Sequence, residues 1–336
     1  MRAVGLDFGA RRLVLGQLPE PGAPRGREVL FRILEIGVCA TDRELAHFHF
    51  GEPPAGESFL ALGHEALGEV LATGSDVAGL EPGALVVPTI RRACSPPCES
   101  CAAGRRDLCR TLGFSERGIF RAHGYFTALA CDLEQDLIRI PAGLADIAIL
   151  AEPLSVVEKA IETALRLFPM TPRTAAIAGC GPMGLLTGFA LKVRGLGVTI
   201  VSLEPEDHPR AKLAIEAGID YRRGESPPPS DIVLECSGSA EAARACLEWL
   251  GPPGALVLIG AALDDLAVAP LQLLLNNQSL AGVVNAAPHH FEMALGDLAR
   301  MPRRWLEAMI ERRPFEAWAD SLGAAPATSA KIVHRA

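Results

Sequence analysis

The sequence has no excess of positive charge. Thirty-two lysines and arginines stand against forty aspartates and glutamates, a formal net charge of -8 over 336 residues, so no overall field draws the chain to nucleic acid or to an anionic membrane surface. It also has no uninterrupted, charge-free apolar run of the ~20 residues that a bilayer-spanning helix needs. The opening stretch, Met1 to Asp7, carries no long apolar core with a cleavage site of the kind that directs export. Internal repeats and charge-run tails are missing too, and the one low-complexity stretch, Glu225–Ser230, reads as a loop. These absences predict a cytoplasmic globular protein whose partner is a small molecule, with no nucleic acid and no membrane.

What is present is enough for a large core. Hydrophobic residues make up 49% of the chain, and its length suits roughly two domains of ~150 residues. Up to about Ala151 the sequence shows short β-rich runs such as Glu28–Ile36 and Gly68–Ala72, punctuated by Gly and Pro. From Pro172 the rhythm changes to alternating strands and helices. Thr174–Ala178 reads as an apolar strand, and Leu186, Phe189, Ala190 and Val193 mark one face of the following helix. Val198–Leu203, Asp231–Cys236, Ala255–Ile259 and Leu280–Val284 read as further strands. Arg210–Ala217 reads as a helix stopped by Gly218, and Ala243, Cys246, Leu247 and Leu250 as another helical face. The fold class is therefore α/β, a mostly β domain followed by a doubly wound parallel sheet.

Between the first of those strands and its helix lies Gly179-Cys-Gly-Pro-Met-Gly184, a match to G-x-G-x-x-G in the setting that gives it meaning. Gly179, Gly181, Pro182, Met183 and Gly184 would bring backbone amides and a helix N-terminus against a pyrophosphate. About twenty residues on, Glu204 ends the second strand, where a carboxylate can bond both hydroxyls of an adenine ribose. With Glu206 and Asp207 beside it, this setting favours NAD, with NADP possible through Arg210 or Lys212.

Nine cysteines in a chain without an export signal point to metal rather than disulfides. Cys94, Cys98, Cys101 and Cys109 have the spacing of a closed four-thiolate zinc lobe, which staples a loop and leaves no position for chemistry. A second, dispersed set consists of Cys39, His64, Glu65 and Glu152. Singly each reads as an ordinary core or helix-start residue; together they supply thiolate, imidazole and carboxylate donors for a zinc with an open position.

These residues, with Gly37–Glu44, Leu62–Glu65, Arg91-Arg92, Ile149–Leu154, the glycine fingerprint, Gly282–Asn285 and Pro288–Phe291, resemble the zinc-containing medium-chain dehydrogenase/reductases, and within them the archaeal-type glucose dehydrogenases. The resemblance covers nearly the whole chain. It implies a GroES-like catalytic domain over residues 1–155 and 290–336, and a Rossmann dinucleotide-binding domain over 156–289, with the active site in the cleft beside the cofactor domain. It implies one catalytic and one structural zinc, and hydride transfer between a sugar, polyol or cyclitol hydroxyl and NAD(P). Cys39, His64 and Glu65 would be catalytic-zinc ligands or near ligands, Glu152 a further ligand or substrate contact, and Thr41 the proton relay. Glu116 and His290 would hold substrate hydroxyls, and Asn285 would lie beside the nicotinamide.

The sequence departs from the family pattern in three places, two of which bear on specificity. Ile90 replaces an asparagine before Arg91-Arg92, removing a hydroxyl-binding group and favouring a ring other than glucose. One extra residue separates Cys94 from Cys98. Leu203-Glu204 stands where the family has a basic pair for NADP, which strengthens the NAD expectation. The alternatives are a dehydrogenase of an amino-alcohol or simple secondary alcohol, and a nucleotide-binding homologue that has lost turnover. The last strands of the doubly wound sheet would leave an apolar edge to be covered by another copy, predicting a homodimer or homotetramer.

Overall fold

The computed structural model describes residues 1–262, 264–323 and 329–336, and the chain divides into two compact units. The first comprises Met1–Glu152, Ile310–Ala327 and Lys331–Ala336. Its largest sheet has seven strands, built on the long strand Glu28–Val38. That strand pairs antiparallel with Glu65–Thr73, Leu129–Leu133 and Lys331–Arg335. Inward residues Val29, Phe31, Ile33 and Ile36 are buried with Val70, Val86 and Phe126 in one apolar cluster, and Ile332 of the C-terminal strand packs there too. Burial alternates from Val29 to Glu35; past the second of two register shifts, between Ile33 and Glu35, the strand twists and Ile36, Gly37 and Val38 are buried in succession. This twist delivers the chain to Cys39, at the N-terminus of the short helix Ala40–Ala46.

The second unit comprises Pro153–Met309 with residues 328–330. Six parallel strands stand in the spatial order Asp220–Arg223, Gly197–Ser202, Thr174–Ala178, Ser230–Glu235, Leu250–Leu258, Gln278–Gly282. In chain order this is third, second, first, fourth, fifth, sixth, with the reversal of direction beside the first strand. Ala175–Ala178 and Ile232–Leu234 are buried on both faces, as a parallel sheet covered by helices requires. Helix Pro182–Val193 starts with Pro at its first turn, and helix Pro209–Glu216 does likewise before stopping ahead of Gly218, whose φ is +72°.

Three sequence expectations are corrected. Leu250 belongs to a strand, because the helix Ala240–Glu248 ends at Trp249 and the chain then pairs Leu250 with Ser230. Its burial, the property that suggested a helical face, is satisfied in the sheet instead. The second unit runs to Met309 rather than ending at 289, since helices Pro288–Arg300 and Arg303–Met309 pack on the helices beginning at Pro182 and Pro209. Ile310–Pro314, the helix Trp318–Gly323 and Lys331–Arg335 return to the first unit. Finally, at that end of the sheet Gln278–Gly282 is the outer strand, with Leu250–Leu258 one position in.

Candidate metal centre and dinucleotide site

Cys39, His64 and Glu65, scattered over the sequence, converge at one end of the seven-stranded sheet. One ligand atom from each lies within 4.8 Å of the others. Val38 pairs with Ile332 and Gly37 with Glu65, so strand register sets the meeting. Gly37 leaves room for this packing: a Cβ on it would press on the Glu65 side chain, lying 3.1 Å from its Cβ, and would lie 3.0 Å from Lys331 Cε. Thr41 Oγ1 lies 3.8 Å from Cys39 Sγ.

Two residues that the sequence reading passed over hold this centre. Asp42 is buried, its Oδ2 accepting the Cys39 backbone N–H at 2.9 Å and its Oδ1 lying 3.2 Å from His64 Nδ1. Burial opposes charge on both groups, yet their mutual attraction wins, holding Asp42 below the usual carboxylate range and His64 well above the usual imidazole one. Lys331, from the C-terminal strand, is equally buried and forms an ion pair with Glu65. Burial and the Glu65 carboxylate push Glu152 up to about 8, while His64 and Lys331 pull the other way. Only Asp42 had a local signal, its position at the third residue of a helix capped by Cys39; Lys331 lies nearly three hundred residues away in sequence, where no local pattern reaches.

A soft thiolate, an imidazole whose Nδ1 faces a carboxylate, and a carboxylate fit zinc and the outer support usual for its histidines. The four-cysteine lobe fits it as well. Sulfurs of Cys94, Cys98, Cys101 and Cys109 all lie within 4.8 Å of one another. Backbone N–H groups point at sulfur, that of Cys98 to Cys94 Sγ at 3.1 Å and that of Arg110 to Cys98 Sγ at 3.4 Å. Donation from the backbone of Cys101 and Arg110 lowers the Cys98 thiol to about 6, whereas burial pushes Cys101 up to about 12. Bound metal would stabilise the thiolate form of all four.

Glu116 is buried in a separate small sheet, where Arg91 pairs with it at 2.8 Å, and it is not among the donors around Cys39. Ile90 packs its side chain into the apolar core of the first unit.

In the second unit the fingerprint has the geometry its glycines require. Gly179 has φ +97°, a Cβ on Gly184 would meet Gly179 O at 1.9 Å, and the Cβ position of Gly181 faces open space. Pro182 and Met183 begin the helix that follows. At the end of the second strand Glu204 is hydrogen-bonded to Ser202 Oγ and lies 2.7 Å from Arg210 Nη2. Burial works against its charge, but the Ser202 bond and Arg210 hold its pKa below the ordinary value. Asn285 is buried with φ +60°, and Lys159 Nζ donates to the preceding Val284 carbonyl at 2.9 Å.

His290 is fully buried at the start of helix Pro288–Arg300. Its Nδ1 accepts the Ala287 backbone N–H at 2.9 Å, and its Nε2 lies 3.2 Å from Glu162 Oε2. With His289 these form a third group of potential metal donors, unforeseen from the sequence. The Ala287 bond argues against a metal there: it fixes the proton of the neutral His290 ring on Nε2, which makes that nitrogen a hydrogen-bond donor.

Family profiles match both parts of the chain, the alcohol dehydrogenase GroES-like domain over residues 25–142 and the glucose dehydrogenase C-terminus over residues 145–326. The glucose 1-dehydrogenase of Methanocella arvoryzae is 35% identical, with 93% of each chain covered. That of Thermoproteus tenax is 37% identical, covering 89% of this chain and 88% of its own. The glucose dehydrogenase of Haloferax mediterranei, solved in complex with NADP, Zn and gluconolactone, superposes with a TM-score of 0.92 at 30% identity, covering 100% of this chain and 99% of that one. With the zinc-fitting donor sets and the dinucleotide fingerprint, these matches establish that the chain belongs to the zinc-dependent medium-chain dehydrogenase/reductases, in the archaeal-type glucose dehydrogenase family.

Proposed function

We propose that the protein oxidises a ring hydroxyl of a sugar or cyclitol with NAD as the preferred hydride acceptor, releasing a carbonyl product, NADH and a proton. The observation that carries this reading is the convergence of Cys39, His64 and Glu65 within 4.8 Å, with buried Glu152 in electrostatic reach, in a chain that matches glucose dehydrogenases along its length. These residues would hold a catalytic zinc, with His64 using Nε2 because Nδ1 faces Asp42. The metal supplies Lewis acidity, making a hydroxyl acidic enough to lose its proton near neutral pH. Thr41 relays that proton, accepting it at Oγ1 as its own hydroxyl proton passes on toward solvent, and Glu152 would contact the metal or the substrate. Glu116 and His290 are the residues assigned to other hydroxyls of the ring. Gly179, Gly181, Pro182, Met183 and Gly184 receive the pyrophosphate, Glu204 the adenine ribose, and Asn285 borders the nicotinamide.

The preference for NAD is supported by Glu204 and its ion pair: Arg210, the nearby cation able to meet a 2′-phosphate, is already engaged at 2.7 Å. A second, structural zinc in the cysteine lobe is supported by the N–H to sulfur bonds there. Such thiolate sites belong to a reducing compartment, which supports a cytoplasmic protein; among the described residues no helix is long and apolar enough to cross a membrane. Association into a homodimer or homotetramer is supported by the unpaired edge strand Gln278–Gly282 and by Leu271, Leu274 and Leu275 on the adjoining helix, each at least 65% exposed.

Ile90 favours a second reading, a ring lacking one of the hydroxyls of glucose, because its side chain offers core packing and no hydrogen bond. The deciding experiment measures zinc per chain and NADH formation on one sample against aldoses, polyols, cyclitols and simple alcohols, with NADP in parallel. Close to two zinc per chain with NAD-linked turnover of a hydroxylated ring is the expected result. One zinc or none, with no turnover of any member, would overturn the proposal in favour of a nucleotide-binding role.

A further inference from the structure

Arg91 spends its whole guanidinium on two partners that lie in different parts of the first unit. Cross-strand register sets Arg91 opposite Glu116, and both Nε and Nη2 lie 2.8 Å from Glu116 Oε1. Nη1 donates to the Asp107 carbonyl at 3.1 Å, and the guanidinium carbon lies 3.8 Å from the centroid of the Phe114 ring. Arg91 is 8% exposed and Glu116 4%, so little water screens the pair. Asp107 belongs to the single turn Arg106–Leu108, directly before Cys109, the last thiol of the cysteine lobe. Its own carboxylate is turned away to Arg105, at 2.9 Å, leaving its backbone to meet Arg91.

We propose that Arg91 is the positioning residue for Glu116, and that it ties the direction of this carboxylate to the folded state of the four-cysteine lobe. The proposal rests on the reading of Glu116 as a substrate contact. A buried carboxylate takes its direction from the groups packed on it, and a guanidinium engaged through all three nitrogens and stacked on a ring is itself held by four contacts at once. Lysine keeps the charge but not the fork or the stacking. The lobe, which performs no chemistry, thereby sets hydroxyl selectivity: loosening the turn before Cys109 frees Nη1 of Arg91, and the orientation of Glu116 follows. One carboxylate–hydroxyl bond in the bound substrate is at stake, so the effect falls on binding of the ring that carries that hydroxyl and leaves the hydride-transfer centre around Cys39 unaltered.

The test compares wild type with Arg91→Lys on the best substrate and on its series of single deoxy analogues, with zinc content recorded for each protein. The expected result is a KM raised roughly 10- to 100-fold for the full substrate, the scale of one hydrogen bond to a charged group. For one deoxy analogue KM should be unchanged, with kcat altered by no more than a few-fold throughout. Cys98→Ser, which weakens the lobe without touching Arg91, should reproduce the same analogue pattern while about one zinc per chain is retained. Phe114→Leu, a milder change should Arg91→Lys fail to fold, should give the pattern at smaller amplitude. A loss spread evenly over all analogues, or one in kcat alone, overturns the role of Arg91 while leaving the functional reading intact. If wild type binds and turns over no hydroxylated ring, Glu116 has no substrate to meet, and both statements fall together.

Discussion

Asp42 lies with one carboxylate oxygen 3.2 Å from Nδ1 of His64, and both side chains are buried. The other oxygen accepts the backbone N–H of Cys39, so a single carboxylate orients two of the converging donors. Replacing Asp42 by Asn keeps the shape and removes the charge that makes His64 a strong base. Outer partners of this kind typically contribute 10- to 100-fold to metal affinity. Asp42→Asn should therefore lose zinc from the Cys39 centre at roughly 10- to 100-fold lower chelator competition, while the cysteine lobe keeps its own metal. Equal retention of both metals in wild type and variant would show that Asp42 only packs.

Glu204 offers a sharper handle on cofactor choice. On the proposed reading its carboxylate would repel a 2′-phosphate, and it also occupies Arg210 at 2.7 Å. Glu204→Gln removes the repulsion and releases the arginine in one step. The ratio of kcat/KM for NADP to that for NAD should rise by about 10- to 100-fold, on the scale of one or two charge-assisted bonds. A ratio that stays put would mean that neither Glu204 nor Arg210 meets the adenine ribose.

The third expectation concerns pH and lies away from any metal donor. Glu158 is buried in the second unit, and burial together with the neighbouring Asp297 pushes its pKa up to about 8, against the pull of Arg194 at 2.6 Å. Arg194 also pairs with Asp297 and bonds the Ala190 carbonyl, and Arg300 pairs with Asp297 from the outer side. Between the ordinary carboxylate value of 4.5 and about 8, the folded protein holds a proton on Glu158 that the unfolded chain has released. Its contribution is thus complete below the lower value and is lost as pH rises toward the upper one, at no more than about 1 kcal/mol per pH unit after allowance for compensating groups. Glu158→Gln, which cannot ionise, should show a flatter decline of Tm from pH 5 to 8 than wild type. Superimposable Tm profiles would exclude Glu158 as the titrating group.

The parts of this protein that the sequence made legible are those encoded locally. Gly179 to Gly184 carry their own turn and helix start, and the cysteines from Cys94 to Cys109 close on one another within a short loop. Ala175–Ala178 is apolar on both faces because the sheet is covered. Cys39, His64 and Glu65 were recognisable by resemblance and not by spacing, since strand register brings them together. What stayed hidden depends on distant pairing: Lys331 against Glu65, Arg91 against Glu116, and His290 fixed between Ala287 and Glu162. The domain boundary was misplaced for a related reason. Residues 290–309 form helices, and it is their packing on the helices beginning at Pro182 and Pro209 that places them in the second unit.

The edge of the parallel sheet yields the last expectation. Gln278–Gly282 has a partner strand on one side only, and the helix Pro270–Asn276 next to it contains no buried residue. Leu271, Leu274 and Leu275 are 65%, 72% and 67% exposed, an apolar group that in water costs free energy unless something covers it. An isologous partner offers the same strand and the same leucines, so a second copy is self-complementary by symmetry. Light scattering on the eluting protein should give a mass of at least two chains for wild type. Leu271→Asp combined with Leu274→Asp should reduce that mass, because burying the new carboxylates at an apolar contact is costly. Zinc content should be unchanged, since neither position adjoins a donor set. A wild type that elutes as a single chain would rule out self-association and leave the leucine face to another partner, and a double variant that keeps its assembly would place the contact between copies elsewhere.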